Sequence, residues 1–253
     1  MLRILLAPAL IGAASLSGRR WGPTVSGWLV GLPLTSAPVT FLLALEHGPA
    51  FAAQVALGTL VGTVSQILFA IGYAWLARHQ RWPLAFAGGS VAFALSTAAL
   101  AGLRVPLAAL ACGVVIALVL GLRAMPIVER RATAASPPLP RWDLPARMVV
   151  ATLIVGVLVA AAPSLGPRFT GMLSPFPVYA AILTVFAHRG QGAPAAIGVL
   201  RGLLAGLFGF VGFFVVVAGS IERLGVAAAF AVATLVALIA QLVSLRGLRV
   251  GSS

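Results

Sequence analysis

Nine apolar runs follow one another along almost the whole chain, and no other feature constrains its fold as strongly. A helix needs ~20 residues to cross ~30 Å of hydrocarbon. The chain is 61% hydrophobic and only 8% charged, whereas a soluble domain has about 25% charged residues. The sequence therefore predicts an all-α polytopic membrane protein of about nine transmembrane helices, with the lipid bilayer as its surroundings. The runs cover residues 4–18, 21–45, 50–77, 83–102, 105–122, 147–163, 169–187, 192–220 and 225–245.

Arginine supplies the basic charge of the chain, which has a formal net charge of +13. The arginines fall between the apolar runs rather than in one soluble basic patch, so no nucleic-acid partner is expected. The absence of lysine, together with abundant alanine, is typical of a GC-rich bacterial genome. The predicted location is therefore a bacterial cytoplasmic (inner) membrane, which the chain crosses several times.

The positions of the arginines relative to the runs predict the orientation of the chain. One side of the membrane would carry twelve of them, namely Arg19, Arg20, Arg78, Arg81, Arg123, Arg130, Arg131, Arg141, Arg147, Arg189, Arg246 and Arg249. The opposite side would carry four, namely Arg3, Arg104, Arg168 and Arg223. Because cytoplasmic loops are enriched in Arg and Lys, we expect the N-terminus outside and the C-terminus in the cytoplasm.

When the sequence is aligned with itself at one constant offset, without a gap, glycines and prolines match in pairs. We call this offset the repeat offset. The matched pairs include Gly22 with Gly166, Pro23 with Pro167, Gly27 with Gly171, Pro33 with Pro177, Gly48 with Gly192, Gly58 with Gly202 and Gly62 with Gly206. Four runs lie in each copy and one lies between them, so the second copy would be reversed in the membrane. The sequence thus predicts a 4+1+4 inverted repeat, the usual frame of secondary transporters.

This repeat divides the chain into predicted units. They are a first four-helix repeat at residues 1–102, an inverting helix at 103–123, a cytoplasmic linker at 124–145, a second, inverted four-helix repeat at 146–246 and a tail at 247–253. The linker is rich in proline, small residues and mixed charges, a composition typical of an exposed connection.

Prolines interrupt the second and seventh runs at equivalent positions. GLPLTSAPV at 31–39 corresponds to LSPFPVYAA at 173–181, and Pro33 matches Pro177. A proline inside a helix costs about 3 kcal/mol, and unpaired backbone at membrane depth is tolerated only where protein or water covers it. Interrupted segments at corresponding positions of two halves indicate a transporter's central site. A single such break would more often be a structural kink, but the matched pair favours a site.

The predicted substrate-binding residues are Pro33, Thr35, Ser36, Pro38, Thr40, Gln66, Ser174, Pro175, Pro177, Tyr179, Thr184 and Arg201. Arg201 lies about nine residues inside the eighth run. One hypothesis is that it attracts a carboxylate, sulfate or phosphate group in a cavity. The other is that its long side chain extends to the membrane interface, and the sequence leaves both open. Gln66, Gln54 and Tyr73 are candidate polar groups of a cavity, or else make interhelical hydrogen bonds.

The acidic and metal-ligating residues argue against catalysis. The acids are Glu46, Glu129, Asp143 and Glu222, at the ends of runs or in the linker. The three histidines have no metal-ligand spacing, and no nucleophile or phosphate-loop motif is present. We therefore expect no enzyme activity, no catalytic residues, no metal and no cofactor.

These patterns predict a transporter or exporter of a small, anionic or polar-headed solute, working by alternating access where the second and seventh runs cross. Helix starts at the breaks, which carry partial positive charge, and Arg201 are the reasons for expecting an anion. The alternatives are a non-catalytic membrane scaffold or accessory subunit, a channel, and a transporter of a lipid substrate. A homo-oligomer is left open.

Overall fold

The computed structural model describes residues 2–34, 36–127, 145–146, 148–150, 172 and 175–250, without the side chains of 2–11 and 246–250. The described residues form helices joined by short turns, and they contain no β-strand. Four of the helices are long and apolar enough to cross a membrane. The prediction of an all-helical membrane protein is confirmed at this level. Most of the sixth run and the linker lie outside the described residues.

Eight helices follow one another along the described residues. They are α1 (Leu2–Trp21), α2 (Pro23–Val30), α3 (Ser36–His47), α4 (Pro49–Ala77), α5 (Trp82–Leu100), α6 (Leu107–Ala124), α7 (Val178–Gln191) and α8 (Ala193–Val250). The candidate membrane spans are α4, α5, α6 and the Ala193–Leu245 part of α8. The second run is divided between α2 and α3, so neither piece alone crosses a membrane.

Helix α8 is interrupted at Gly225, where the backbone has φ 76° and ψ 169°. This conformation is easily adopted only by glycine, and it divides α8 into a first arm at residues 193–224 and a second arm at 226–250. At 1.5 Å per residue the arms are about 48 Å and 37 Å long. Each arm is therefore long enough to cross the hydrocarbon layer by itself.

Several helix boundaries recur at the repeat offset. Helix α3 ends at 47 and α7 at 191, while α4 begins at 49 and α8 at 193. Gly48 and Gly192 separate these pairs with φ values of 89° and 85°. Helix α5 begins at 82, and the second arm of α8 begins at 226, directly after Gly225. The backbone thus follows the sequence correspondence over these elements.

The core of the fold is formed by α4 and the first arm of α8, and their long apolar side chains are buried. One aromatic pair joins α4 to α5, and another joins the first arm of α8 to its second arm. The rings of Phe69 and Phe86 meet edge to face at 6.2 Å, and those of Phe213 and Phe230 at 5.6 Å. The repeat offset also relates these two pairs to each other.

The outer surface of the described bundle is apolar. Leu95 on α5 is 68% exposed, Ile116 on α6 is 58% exposed and Val243 on α8 is 65% exposed. Large exposed apolar areas are uncommon on soluble monomers. These faces are therefore suited to contact lipid.

Candidate functional site

The two proline breaks have the same backbone hydrogen-bond pattern. The Leu34 amide donates to the Leu32 carbonyl, and the Val178 amide donates to the Phe176 carbonyl, both at 2.8 Å. Pro177 has φ −81° and ψ 59°, the geometry at the centre of an inverse γ-turn. In the next turn, amides of α3 and α7 donate to the carbonyls of Pro33 and Pro177 at 2.9 Å and 2.6 Å. Both breaks are therefore ordered turns rather than bends in a continuous helix.

The first break lies against α8, and the second lies against α4. At the first break, a Cβ atom built on Gly31 would lie 2.6 Å from the Cα of Gly206 on α8. At the second, the Phe176 ring packs 6.0 Å from the ring of Phe69 on α4. Gly62 of α4 meets the backbone of Met172 just before that break. The structure thus brings α4 to one break and α8 to the other.

The predicted site residues are distributed unevenly between interior and surface. Buried members are Pro33, Ser36, Thr40, Gln66, Pro175, Pro177 and Thr184. Tyr179 and Arg201 are half-buried, and Pro38 is exposed. Thr35 and Ser174 lie outside the described residues.

Two buried polar atoms near the breaks have no hydrogen-bond partner. The Thr40 hydroxyl donates to the Ser36 carbonyl at 2.8 Å, but its counterpart in α7, the fully buried Thr184 hydroxyl, makes no hydrogen bond. The side-chain oxygen of Gln66 is likewise buried without a partner. Gln66 lies one helical turn after Gly62, on the face of α4 directed to the second break. An unsatisfied buried polar group costs about 1–3 kcal/mol, so both atoms are unfavourable in this arrangement.

Helix α2 is held against both arms of α8 by contacts that the sequence analysis did not identify. The Trp28 indole donates to the Ser244 hydroxyl at 3.1 Å, and the Gln241 side-chain amide donates to the Trp28 carbonyl at 3.0 Å. On the first arm, Gly202 and Gly206 lie directly against the backbone of α2. A glutamine inside the last apolar run was the sequence signal for the polar contacts, and the spacing of Gly202 and Gly206 was the signal for close packing.

A second missed contact joins α4 to α7. The Tyr73 hydroxyl and Nδ1 of His188 are 3.1 Å apart, and Tyr73 is fully buried. Phe176 packs edge to face on Phe93 at 5.1 Å nearby in the same core. The C-terminal part of α4 therefore contacts α7 through a polar pair, and aromatic rings pack beside this pair.

The structure has a substrate-sized cavity beside the beginning of α4. Its volume is about 610 Å³, within the ~300–1,000 Å³ range of small-molecule sites. The lining residues are Gln54, Leu57, Gly58, Val61, Leu103, Arg104, Val105, Pro106 and Leu110. A second cavity of about 20 Å³, lined in part by Ser15, Arg19 and Ser26, has room for little more than one water. Neither cavity is lined by Pro33 or Pro177, so the larger space lies away from the breaks.

Arg201 lies on the first arm of α8 and lines neither of these two cavities. It is half-buried, and the described residues provide it with no hydrogen bond or ion pair. It lies eight residues after the start of α8, a depth of about 12 Å along the helix. Its counterpart at the repeat offset is Leu57, which lines the larger cavity.

Among the described residues, no three His, Cys, Asp or Glu side chains lie together as metal ligands would.

No protein-family model, curated protein or solved structure shows significant similarity to the chain. Interpretation of the site therefore depends on its geometry alone.

Proposed function

We propose that this protein is a transporter of a small anionic or polar-headed solute in a bacterial inner membrane. In this proposal the chain crosses the membrane nine times as a 4+1+4 inverted repeat, with its N-terminus outside and its C-terminus in the cytoplasm. The two halves exchange conformations, and a central site opens first to one side and then to the other. Transporters with inverted repeats generally work in this way.

The matched breaks carry the proposal. Both contain a proline at a γ-turn, with the same amide-to-carbonyl pairs at equivalent positions. Irregular backbone at membrane depth survives only where protein or water covers it. A scaffold needs no second copy of such a break, whereas two exchanging halves need equivalent flexible points. The duplication therefore favours transport over a purely structural role.

The larger cavity gives the proposed transport pathway a defined wall. Four of its lining residues, Gln54, Leu57, Gly58 and Val61, come from the first half of α4. Their counterparts in α8 are Gly198, Arg201, Gly202 and Ala205. In α8, Gly202 lies against the backbone of α2. We interpret the structure as one of two states, in which the cavity beside α4 is formed.

Helix α2 is suited to be the part that moves. It is only eight residues long, from Pro23 to Val30. Gly22 precedes it with a φ of 95°, and the γ-turn at Pro33 follows it. A short rigid helix between two non-helical points can move as a unit. Its displacement would uncover the wall formed by the first arm of α8.

The test uses two single-cysteine variants at equivalent depth. The exposed Cys112 is first replaced by alanine, and Val61→Cys and Ala205→Cys are then made separately. Each position lies twelve residues after the first residue of its helix. Membrane-impermeant methanethiosulfonate reagents are added to right-side-out and to inverted vesicles. We expect Val61→Cys to react from one side and Ala205→Cys from the other.

The controls distinguish the alternative functions. Leu235→Cys, on the lipid-exposed face of α8, should remain unreactive from either side. Failure of Ala205→Cys to react from the side opposite to Val61→Cys would refute alternating access and favour the scaffold. If each of the two cysteines reacts from both sides, the chain is a channel.

A further inference from the structure

We propose that the cavity beside α4 binds an anionic amphiphile, a molecule with one carboxylate, sulfonate or phosphate group and an apolar body. Arg104 binds the anionic group, and the apolar body lies against α4 and α6. Binding in this cavity does not depend on alternating access. That the bound molecule is also the transported solute rests on the proposed function.

Two different parts of the chain form the cavity. One wall comes from α4, and the other comes from residues 103–110, in the loop before α6 and the first turn of that helix. The second wall lies outside both copies of the predicted repeat, so the repeat supplies no equivalent cavity in the second half. The site is therefore a feature of one half, present without any exchange of conformation.

The polarity of the cavity changes along α4. Gln54 lies five residues after the helix start and is exposed, whereas Gly58 and Val61 are buried. Gln54 and Val61 are seven residues apart in the sequence, which is about 10 Å along the helix. Leu110 of α6 is also buried. A ligand can therefore keep a polar group at the exposed end and bury its apolar part further along the cavity.

Positive charge is present in the wall of the cavity. Arg104 lines the cavity, and no acidic side chain does so. Arg104 makes no hydrogen bond or ion pair with any residue that the structure describes. Pro106 also lines the cavity and is the N-cap residue of α6, where no side chain caps the helix. Because a helix N-terminus carries partial positive charge, both features attract an anion.

The exposure of Arg104 favours an amphiphile over a simple inorganic anion. An exposed ion pair contributes little to binding, because water and salt screen it. Seven of the nine residues that line the cavity have no polar side-chain atom. Burial of each methylene group strengthens binding by about fourfold. An acid with an apolar body therefore uses the cavity wall as well as the charge.

The experiment measures the protection of a cysteine in the cavity wall. Leu57→Cys is made in the Cys112→Ala background, and the purified protein is labelled with the uncharged reagent N-ethylmaleimide. Hexanoate should slow the labelling, and the concentration that halves the rate should rise by about fourfold per methylene removed, in pentanoate and butyrate. Hexanamide has the same chain without the charge and should need a roughly tenfold higher concentration. Labelling of Gln80→Cys, in the loop at the other end of α4, should not change.

Substitutions of Arg104 test the role of its charge. Arg104→Gln should raise the half-rate concentration of hexanoate to that of hexanamide, whereas Arg104→Lys should change it little. Arg81→Gln is the matched control, because it removes an exposed arginine just before α5, away from the cavity. If hexanoate and hexanamide protect equally, or if Arg104→Gln behaves like Arg81→Gln, Arg104 does not bind the anionic group and the inference is overturned. It is also overturned if neither compound slows the labelling of Leu57→Cys.

A second measurement uses the wild-type chain, which guards against misfolding of the variants. Hexanoate should raise the midpoint of thermal unfolding in detergent more than hexanamide does at equal concentration. Equal midpoints would contradict binding of an anionic amphiphile. These results do not depend on alternating access, which is tested separately by the sidedness of labelling at Val61→Cys and Ala205→Cys.

Two sources can supply an anionic amphiphile, namely a free acid and a membrane lipid. Labelling of Leu57→Cys is therefore repeated in phosphatidylcholine nanodiscs with and without phosphatidylglycerol. Slower labelling with phosphatidylglycerol identifies a lipid as the ligand. Unchanged labelling, together with protection by hexanoate, identifies a free acid.

Discussion

Replacing Gly206 by alanine should destabilise the protein about as much as replacing Gly62 by alanine. A Cβ atom at Gly206 would lie against the Trp28 carbonyl oxygen and 2.9 Å from the Cα of Gly31. A Cβ atom at Gly62 would lie against the Met172 carbonyl oxygen and 2.9 Å from its carbonyl carbon. The repeat offset relates the two glycines to each other, and it also relates the two carbonyls. The same substitution therefore disturbs equivalent backbone contacts in the two halves.

The contact distances set the size of the effect. Carbon atoms pack favourably at ~3.5 Å or more, so each pair of segments must separate by at least about 0.6 Å. Overpacking of this kind costs ~1–3 kcal/mol, and the better helix propensity of alanine returns up to ~1 kcal/mol. A net loss of ~1–2 kcal/mol corresponds to a fall in the unfolding midpoint of about 2–8 °C in a protein of this size.

The assay is thermal unfolding of purified protein in detergent, followed by the fluorescence of its five tryptophans. Gly113→Ala is the control, because Gly113 is a mid-helix glycine of α6 with no neighbouring atom within 4 Å of a built Cβ. Its midpoint should stay the same or rise. Wild-type midpoints for both Gly62→Ala and Gly206→Ala would show that the backbone contacts are wrong. A fall in only one of them would contradict the equivalence of the two interfaces.

Two further predictions concern hydrogen bonds and use the same assay. Tyr73→Phe should lower stability by ~0.5–1.5 kcal/mol, because it removes a hydrogen bond to His188. In the Tyr73→Phe background, His188→Ala should lower stability little further. Fully additive losses from the two substitutions would contradict a direct bond between the side chains. Thr40→Val should lower stability by ~1 kcal/mol, because it removes the bond to the Ser36 carbonyl. Thr184→Val should be neutral or stabilising, since the buried Thr184 hydroxyl has no partner to lose. A larger loss at Thr184 than at Thr40 would mean that Thr184 has a bonding partner in the purified protein.

The helical membrane class could be predicted because it depends on properties that are local in the sequence. Apolar runs of sufficient length form helices wherever lipid surrounds them, since their backbone groups must be satisfied internally. The breaks were also predictable, because proline removes a backbone donor whatever its surroundings. The chain accordingly leaves the helix after Val30 and resumes it at Ser36.

The partners of these local features could not be predicted. The spacing of Gly202 and Gly206 indicates close packing, but it does not identify α2 as the helix that packs there. The bond between Tyr73 and His188 joins residues 115 positions apart, and each looked like an isolated polar residue. The larger cavity could not be predicted either, because the loop around Arg104 meets α4 only in the folded chain.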